Sequence, residues 1–442
     1  MGLVAGAGEV ESVLVSEGAP SPLGDRPTAD QMSVRRHNLS VVLDHLRVHG
    51  GRSRARIASD TGLNKATVSS LVAELLGRGL VREGEIERGS VGRPGQTIEL
   101  DATNVIAIGA EVGIDYVSVI AMNLRGEPVA EERLALDTAG IGAEWVLRRL
   151  AGLVDTVVDP LVAGGAVPVG LTLAVPGITD PASGLVWDAP NLGWHETTVL
   201  EPLRRHLGDP AYPILLENEA NAGVLAELAV RGRAAAQDLL LITGATGVGG
   251  GIVTGGRLLR GSRGFAGELG HMQVDPAGRP CRCGRTGCFE TVVGLGALLR
   301  ALAPMDDPVR DPSIDVVQRL EEVRGRLEAG DPLALAAVEQ IGDGLVQGCG
   351  SLVNIFNPDT IVLGGYFAVL GRWFAPRLRA ELDREVFAPK AGGCRVELST
   401  LGFSAAVRGA ALHATRHVFD DPGLVPHRPE TLDALKASAA RA

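Results

Sequence analysis

Long apolar runs are missing from this chain. No stretch of about 18 uninterrupted apolar residues occurs, which argues against a helix that spans a bilayer. A basic stretch followed by an apolar core is also missing at the start. Residues 1–31, rich in Gly, Ala, Ser, Pro and acid, therefore read as a disordered lead-in and not as a secretory signal. Both absences predict a cytoplasmic protein with no membrane partner. Cysteine is scarce: five in 442 residues cannot make a disulfide framework. Lysine is scarcer still, with Lys65, Lys390 and Lys436 the full complement, and no Gly-Lys-Ser/Thr occurs, so a Walker-type phosphate loop is excluded. What remains is 45% apolar and 21% charged, the balance of a globular protein long enough for two or three domains.

The net charge of −11 alone disfavours a nucleic-acid partner, but it is unevenly spread. Between Gln31 and Leu100 stand eleven basic and seven acidic residues, a local balance of +4 on an otherwise acidic chain. A basic head on an acidic body is what a protein shows when one domain faces phosphates and the other does not.

That head, residues 32–100, carries three helical patterns in succession. The first runs from about Val34 to Val48 with Leu39, Val42, Leu43 and Leu46 on one stripe. The second starts at Ser53, a plausible N-cap, turns Ile57 and Ala58 inward and ends at Gly62. The third starts at the cap residue Asn64 and places Val68, Leu71, Val72, Leu75, Leu76 and Leu80 at helical spacing. Two helices joined by a Gly turn, the second polar in its first third, predict a helix-turn-helix whose second helix enters the major groove of double-stranded DNA. Arg54, Lys65, Thr67, Ser69 and Ser70 are the candidate contacts on the helices. Two short strands around Gly92-Arg93-Pro94 predict a wing, from which Arg88 and Arg93 reach phosphate or the minor groove. A three-helix docking or dimerisation module is the plainer reading of the same pattern.

Residues 103–420 alternate apolar strand-like runs with helical stretches near 143–158, 220–230 and 333–356, and Gly-rich turns close the strands. This predicts an α/β domain with ligands at strand ends. Residues 421–442 read as a C-terminal tail. The sharpest chemical signal is His271 followed by Cys281, Cys283 and Cys288, three thiols within eight residues. Three thiolates and an imidazole form the closed donor set of structural Zn2+, with no open position for a catalytic water, which argues against a zinc hydrolase. Redox-active or inert buried thiols are the alternatives. Cys349 and Cys394 lie in less polar surroundings and read as core residues.

Gly267-Glu268-Leu269-Gly270-His271 and the Cys-x-Cys-Gly-x-x-Gly-Cys-x-Glu run closely resemble the ROK family, named for repressor, open reading frame and kinase. The resemblance continues at Val175-Pro176-Gly177, Pro190-Asn191-Leu192-Gly193-Trp194, Glu217-Asn218-Glu219-Ala220-Asn221 and Asn357-Pro358-Asp359 to Gly365. The leading helix-turn-helix with a Gly-Arg-Pro wing resembles the repressor branch, that of the xylose and N-acetylglucosamine repressors. The resemblance implies a two-lobed, actin-like sugar-kinase fold with sugar between the lobes. It implies that Asn218, Glu219, Glu268, His271 and Glu290 bind sugar hydroxyls, with Gly177 and Asn191 as neighbours. His271 then belongs to both sites, zinc on one ring nitrogen and sugar on the other.

The kinase pattern is broken. The family's kinases carry Asp-x-Gly-Gly-Thr-Lys where this chain has Glu111-Val112-Gly113-Ile114-Asp115-Tyr116. Ile114 blocks backbone approach, Tyr116 removes a donor, and Asp115 places a repelling charge near the phosphates. Glu219 replaces the catalytic Asp, one methylene longer. The Gly-rich run 245–251 survives, as a tight turn also would. The chain is thus expected to be a sugar-responsive DNA-binding regulator, a repressor by its branch, acting as a homo-oligomer, at least a dimer, with no phosphoryl transfer. An ATP-dependent hexose or amino-sugar kinase with a DNA-binding head is the alternative.

Overall fold

A computed structural model describes residues 31–86, 96–232, 237–391 and 393–428. The head comprises α1 (Gln31–His49), α2 (Arg54–Thr61) and α3 (Lys65–Gly77) with an antiparallel sheet of β1 (Arg52–Ser53), β2 (Val81–Ile86) and β3 (Gln96–Leu100), ordered β1-β3-β2. Two residues make the turn between α2 and α3. Gly62 ends α2 in the left-handed region at φ 73°, and the Asn64 side chain accepts the Thr67 N–H at 2.8 Å to cap α3. Ser53 does precede α2 but makes no side-chain cap bond. The expected apolar stripes of all three helices meet in one core, with Leu76 only partly buried. The wing tip, with Gly92, Arg93, Pro94 and Arg88, lies outside the described residues.

The first lobe runs through β4 (Val105–Val112), β5 (Tyr116–Asn123), β6 (Pro128–Ala135), α4 (Ala143–Ala163) and β7 (Val167–Val175). A small antiparallel sheet follows, β8 (Ile178–Asp180), β9 (Leu185–Ala189) and β10 (Trp194–Thr198), then α5 (Leu200–His206), β11 (Ile214–Asn218) and α6 (Glu219–Arg231). The second lobe has β12 (Leu239–Gly244), β13 (Val248–Thr254), β14 (Arg257–Leu258), α7 (Phe289–Val293), α8 (Leu295–Leu302), α9 (Val316–Glu328) and α10 (Pro332–Phe356). It closes with β15 (Thr360–Gly365), α11 (Tyr366–Val369), α12 (Gly371–Glu385), β16 (Arg395–Leu398) and α13 (Ala405–Asp420).

The two large sheets repeat one topology, β6-β5-β4-β7-β11 and β14-β13-β12-β15-β16. In each, three consecutive antiparallel strands are followed by two that return parallel to the first. Strands β4, β5 and β15 are buried at every position, which is why β4 and β15 read as apolar runs without alternation.

Helix α13 returns from the second lobe to pack on β4, β5, β7 and α6 of the first. Its far end does more. Ala414, Val418 and Phe419 share one core with Leu39, Leu43, Leu71 and Leu75 of the head, as do Val105 and Ala107 of β4. Strand β3 ends at Leu100 and β4 begins at Val105, so the division near residue 100 is a chain boundary without a gap in packing.

The segment after α13 behaves unlike a free tail up to residue 428. Arg78, just past α3, donates to the carbonyls of Gly423 and Val425 at 3.1 and 2.5 Å. The Arg428 N–H donates to Gly77 at 2.9 Å and its guanidinium to Asp101 at 2.8 Å. Residues 421–428 thus strap the head, correcting the expectation of a tail from residue 421 onward. No helix among the described residues is long and apolar enough to cross a membrane.

Candidate effector cleft, metal centre and nucleic-acid interface

One cavity between the lobes gathers all seven of the expected sugar-facing residues. Gly177 follows β7, Asn191 follows β9, Asn218 and Glu219 form the β11–α6 corner, Glu268 precedes and His271 ends a short 3-10 turn (Leu269–His271), and Glu290 lies in the first turn of α7. The space is tight, about 100 Å³. The Gly-rich β12–β13 hairpin forms another wall. A Cβ at Gly247 would sit 2.7 Å from the Glu290 carboxylate and 2.9 Å from the Asn191 amide, and one at Gly249 3.0 Å from Glu219. Gly247 and Gly249 thus leave room for these side chains, while Gly250 and Gly251 pack closely on Leu269 and Val224, quite apart from any phosphate.

The side chains in the cleft divide into those already satisfied and those with capacity to spare. Asn218 is largely spent: its oxygen caps α6 on the N–H groups of Ala220 and Asn221 (2.9 and 3.0 Å), and its amide donates to Gly177 and Glu219 at 3.0 and 2.9 Å. It positions the corner more than it reaches outward, a role that its place in a sugar motif does not reveal. Burial, reinforced by the nearby Glu268, pushes the Glu219 carboxyl up to about 8. Burial also raises Glu268, against the pull of His271. A protonated Glu219 both donates and accepts, which suits a hydroxyl-rich ligand.

His271, Cys281, Cys283 and Cys288 bring one donor atom each to within 4.8 Å of one another. The His271 Nδ1–Cys281 Sγ distance is 3.6 Å and the Cys283–Cys288 Sγ separation 3.7 Å. A tetrahedron with metal–sulfur bonds of about 2.3 Å has edges of about 3.8 Å, so the donor set fits a four-coordinate Zn2+. The ring nitrogen that faces the thiols is Nδ1. Glu290 joins the two sites: its Oε1 lies 2.9 Å from Cys281 Sγ and 3.7 Å from His271 Nδ1, while Oε2 accepts from Asn191 at 3.4 Å. Cys349 is fully buried and Cys394 packs partly buried against the same core, as expected of structural thiols.

The β4–β5 turn is filled from within. The Tyr116 hydroxyl donates to Glu111 at 2.5 Å and Ser118 donates to the other carboxylate oxygen at 3.3 Å. The Tyr116 ring covers Gly113, where a Cβ would lie 2.7 Å from it, and Arg133 stacks 4.8 Å from the ring centroid. Asp115 does not point a free charge into the cleft. It is buried in an ion pair with Arg319 of α9, each side chain 5% exposed. Repulsion by Asp115 is therefore corrected to occlusion by Tyr116; Arg319, 204 positions away, supplies the neutralising charge.

On the head, Lys65 and Ser69 are exposed near the start of α3, and the Ser69 hydroxyl donates to the Lys65 carbonyl at 2.9 Å. Thr67 is half-buried beside its cap. Ser70 is exposed but lies 3.4 Å from Arg35, which pairs with Glu74. Arg54 pairs with Glu83 of β2 at 3.0 Å. These five residues lie on or beside the α2–α3 unit; Arg88 and Arg93 fall outside the described residues.

The ROK family model matches residues 107–417, most of the chain. The chain belongs to the ROK family. An IclR helix-turn-helix domain matches residues 39–85. Among its ROK relatives, a putative xylose repressor from Caldicellulosiruptor sp. (strain Rt8B.4) is 33% identical over 377 residues, 84% of this chain and 92% of the relative. The DNA-binding transcriptional dual regulator NagC of Escherichia coli (strain K12) is 25% identical over 401 residues, 89% of this chain and 96% of the relative. The crystal structure of a ROK family transcriptional regulator, a homologue of the E. coli MLC protein, matches with a TM-score of 0.69 at 24% identity, over 89% of this chain and 98% of that one. That likeness concerns the fold, and it spans head and lobes together.

Proposed function

We propose that this ROK protein is a sugar-responsive, DNA-binding transcriptional regulator of the repressor type, which binds its sugar without phosphorylating it. One observation carries the reading. Ala405 and Ala406 at the start of α13 line the cleft, while Ala414, Val418 and Phe419 near its end lie in the core of the head. A single helix of 16 residues, about 24 Å long, thus joins the ligand cavity to the DNA-reading unit.

In the cleft, Glu219, Glu268, Glu290, Asn191 and His271 offer the carboxyls, amide and ring nitrogen that a polyol needs, with Asn218 and Gly177 holding the corner. Zn2+ on Nδ1 of His271 leaves Nε2 as an N–H donor toward the ligand, so the metal braces the sugar site. On DNA, Lys65 and Ser69 face base edges from the start of α3, with Thr67, Ser70 and Arg54 beside them and Arg88 and Arg93 on the wing. A homodimer presents two such heads to half-sites about one helical turn apart or a multiple of it.

The test is fluorescence anisotropy of the full chain on duplexes from its own promoter region, with D-xylose, N-acetylglucosamine and D-glucose as first effectors. Binding that falls steeply with salt and shifts with one of a broad sugar panel is expected. Substitution of Ser69 should change the preferred duplex, whereas Lys65→Ala should weaken all duplexes alike. Absence of salt-sensitive DNA binding overturns the reading.

A further inference from the structure

A second cavity lies behind the corner that presents Asn218 and Glu219 to the cleft. Its volume is about 720 Å³, inside the range of about 300–1,000 Å³ found for small-molecule pockets. Neighbours on a strand point to opposite faces, so Glu217 faces this cavity where Asn218 faces the cleft. Gly264 lines both spaces, and the loop around it divides them.

The floor of the cavity is built and polar. Glu217, 1% exposed, is held by both Nη atoms of Arg260, one at 2.9 Å. Asn221, 3% exposed, donates its amide to Glu217 at 3.4 Å, while its Oδ1 has no hydrogen-bond partner. That oxygen is an acceptor on the floor that the protein itself leaves unspent. His413 has its Nδ1 3.3 Å from the Thr172 hydroxyl, and burial holds its ring below the usual imidazole pKa.

The walls are aromatic, in a chain with few aromatics to spend. Only 3% of residues are Phe, Trp or Tyr, yet Trp187 and Phe265, 45% and 43% exposed, both line this space. Half-exposed rings offer flat apolar faces to the C–H face of a sugar ring, while the half-exposed Arg260 guanidinium and the Asn221 amide supply polar partners for its hydroxyls. Charge selects further. Glu217 and Arg260 cancel, and Asp180 and Arg263 at the rim are of opposite sign, so the lining favours no net charge on the ligand.

We propose that this cavity is a second ligand site, for a neutral sugar of disaccharide size, separate from the cleft. A ligand there bears on Arg260, which holds Glu217, and on Asn221, which donates its backbone N–H to the Asn218 side chain, so both sites press on one five-residue corner. The site stands whether or not the cleft takes a monosaccharide.

The experiment is equilibrium dialysis with sucrose, maltose, cellobiose and xylobiose, and tryptophan fluorescence in parallel, on the full zinc-loaded chain. Three proteins are compared: wild type, the double variant Trp187→Ala, Phe265→Ala, and the cleft variant Glu268→Gln. One of the disaccharides should bind wild type and Glu268→Gln equally and lose at least about tenfold in affinity in the double variant, a difference of about 1.4 kcal/mol. Circular dichroism and unchanged zinc content verify that the double variant is folded, which the exposure of both rings favours. Loss of all disaccharide binding in Glu268→Gln assigns it to the cleft and overturns the proposal. So does unchanged affinity in the double variant, or no binding of any of the four. Saturation by glucose 6-phosphate or adenosine in their place overturns the ligand class. Failure of the cleft reading looks different: monosaccharide binding that Glu268→Gln leaves intact.

Discussion

The guanidinium of Arg78 reaches the backbone carbonyl of Val425 at 2.5 Å across 347 positions of sequence, so the end of the recognition helix is tied to the segment that follows α13. The same arginine pairs with Glu74 inside α3 at 3.0 Å. Head and strap are therefore one structure.

Arg78→Ala should cost the head about 1.5–3 kcal/mol, the scale of hydrogen bonds to a charged group. Truncation after Asp421 should reproduce the effect. Both are expected to lower amide protection in α3 and DNA affinity while leaving sugar affinity unchanged. Full protection of α3 in the truncated chain would show the strap to be idle.

The Glu219 carboxyl gives a pH signature. With its pKa pushed up to about 8 in the fold and about 4.3 when unfolded, the native state holds the extra proton between those values. Stability then falls as pH rises across that interval, because the folded chain binds more protons there. The sugar-free protein should melt at lower temperature at pH 8 than at pH 6, and Glu219→Gln should flatten that slope. Parallel slopes in the two proteins contradict the assignment.

Cys283→Ser should lower zinc content and sugar affinity together, because His271 and Glu290 touch both sites. Metal analysis beside calorimetric titration of the same samples reads this. Sugar affinity undiminished in the zinc-poor variant removes the coupling, and zinc-free wild type removes the metal.

Occlusion of the β4–β5 turn by Tyr116 predicts ATP consumption at background with every sugar that binds. A coupled assay should find turnover far below about one per second, a slow value for a working enzyme. Glu219→Gln should weaken sugar binding and leave that background unmoved. Turnover of about one per second in wild type promotes the kinase reading.

Much of this was legible from short-range chemistry. Asn64 as a cap, Gly62 as a left-handed turn and the three cysteines around His271 all act within a few residues, so their spacing alone reports them. The most apolar β-runs, such as those of β7, β12 and β15, are equally plain, whereas β5 is interrupted by Ser118 and does not announce itself. What escapes is contact over long separations. Nothing near Asp115 announces Arg319, and nothing in residues 421–428 announces Arg78, since ion pairs and straps leave no period. Asn218 escapes for another reason: the same amide that suits a sugar also suits a helix cap, and only geometry shows which use consumes it.

The continuity of the core from α1 and α3 through Phe419 into β4 and β7 has a mechanical consequence. Head and first lobe share one buried core, so swinging α3 against β4 and β7 would have to open it. The thiols and Glu268 stand on the other lobe, which is linked to that core through α13. A change at the cleft therefore reaches the head along the one helix that belongs to both, so a shift at Ala405 is felt at Phe419.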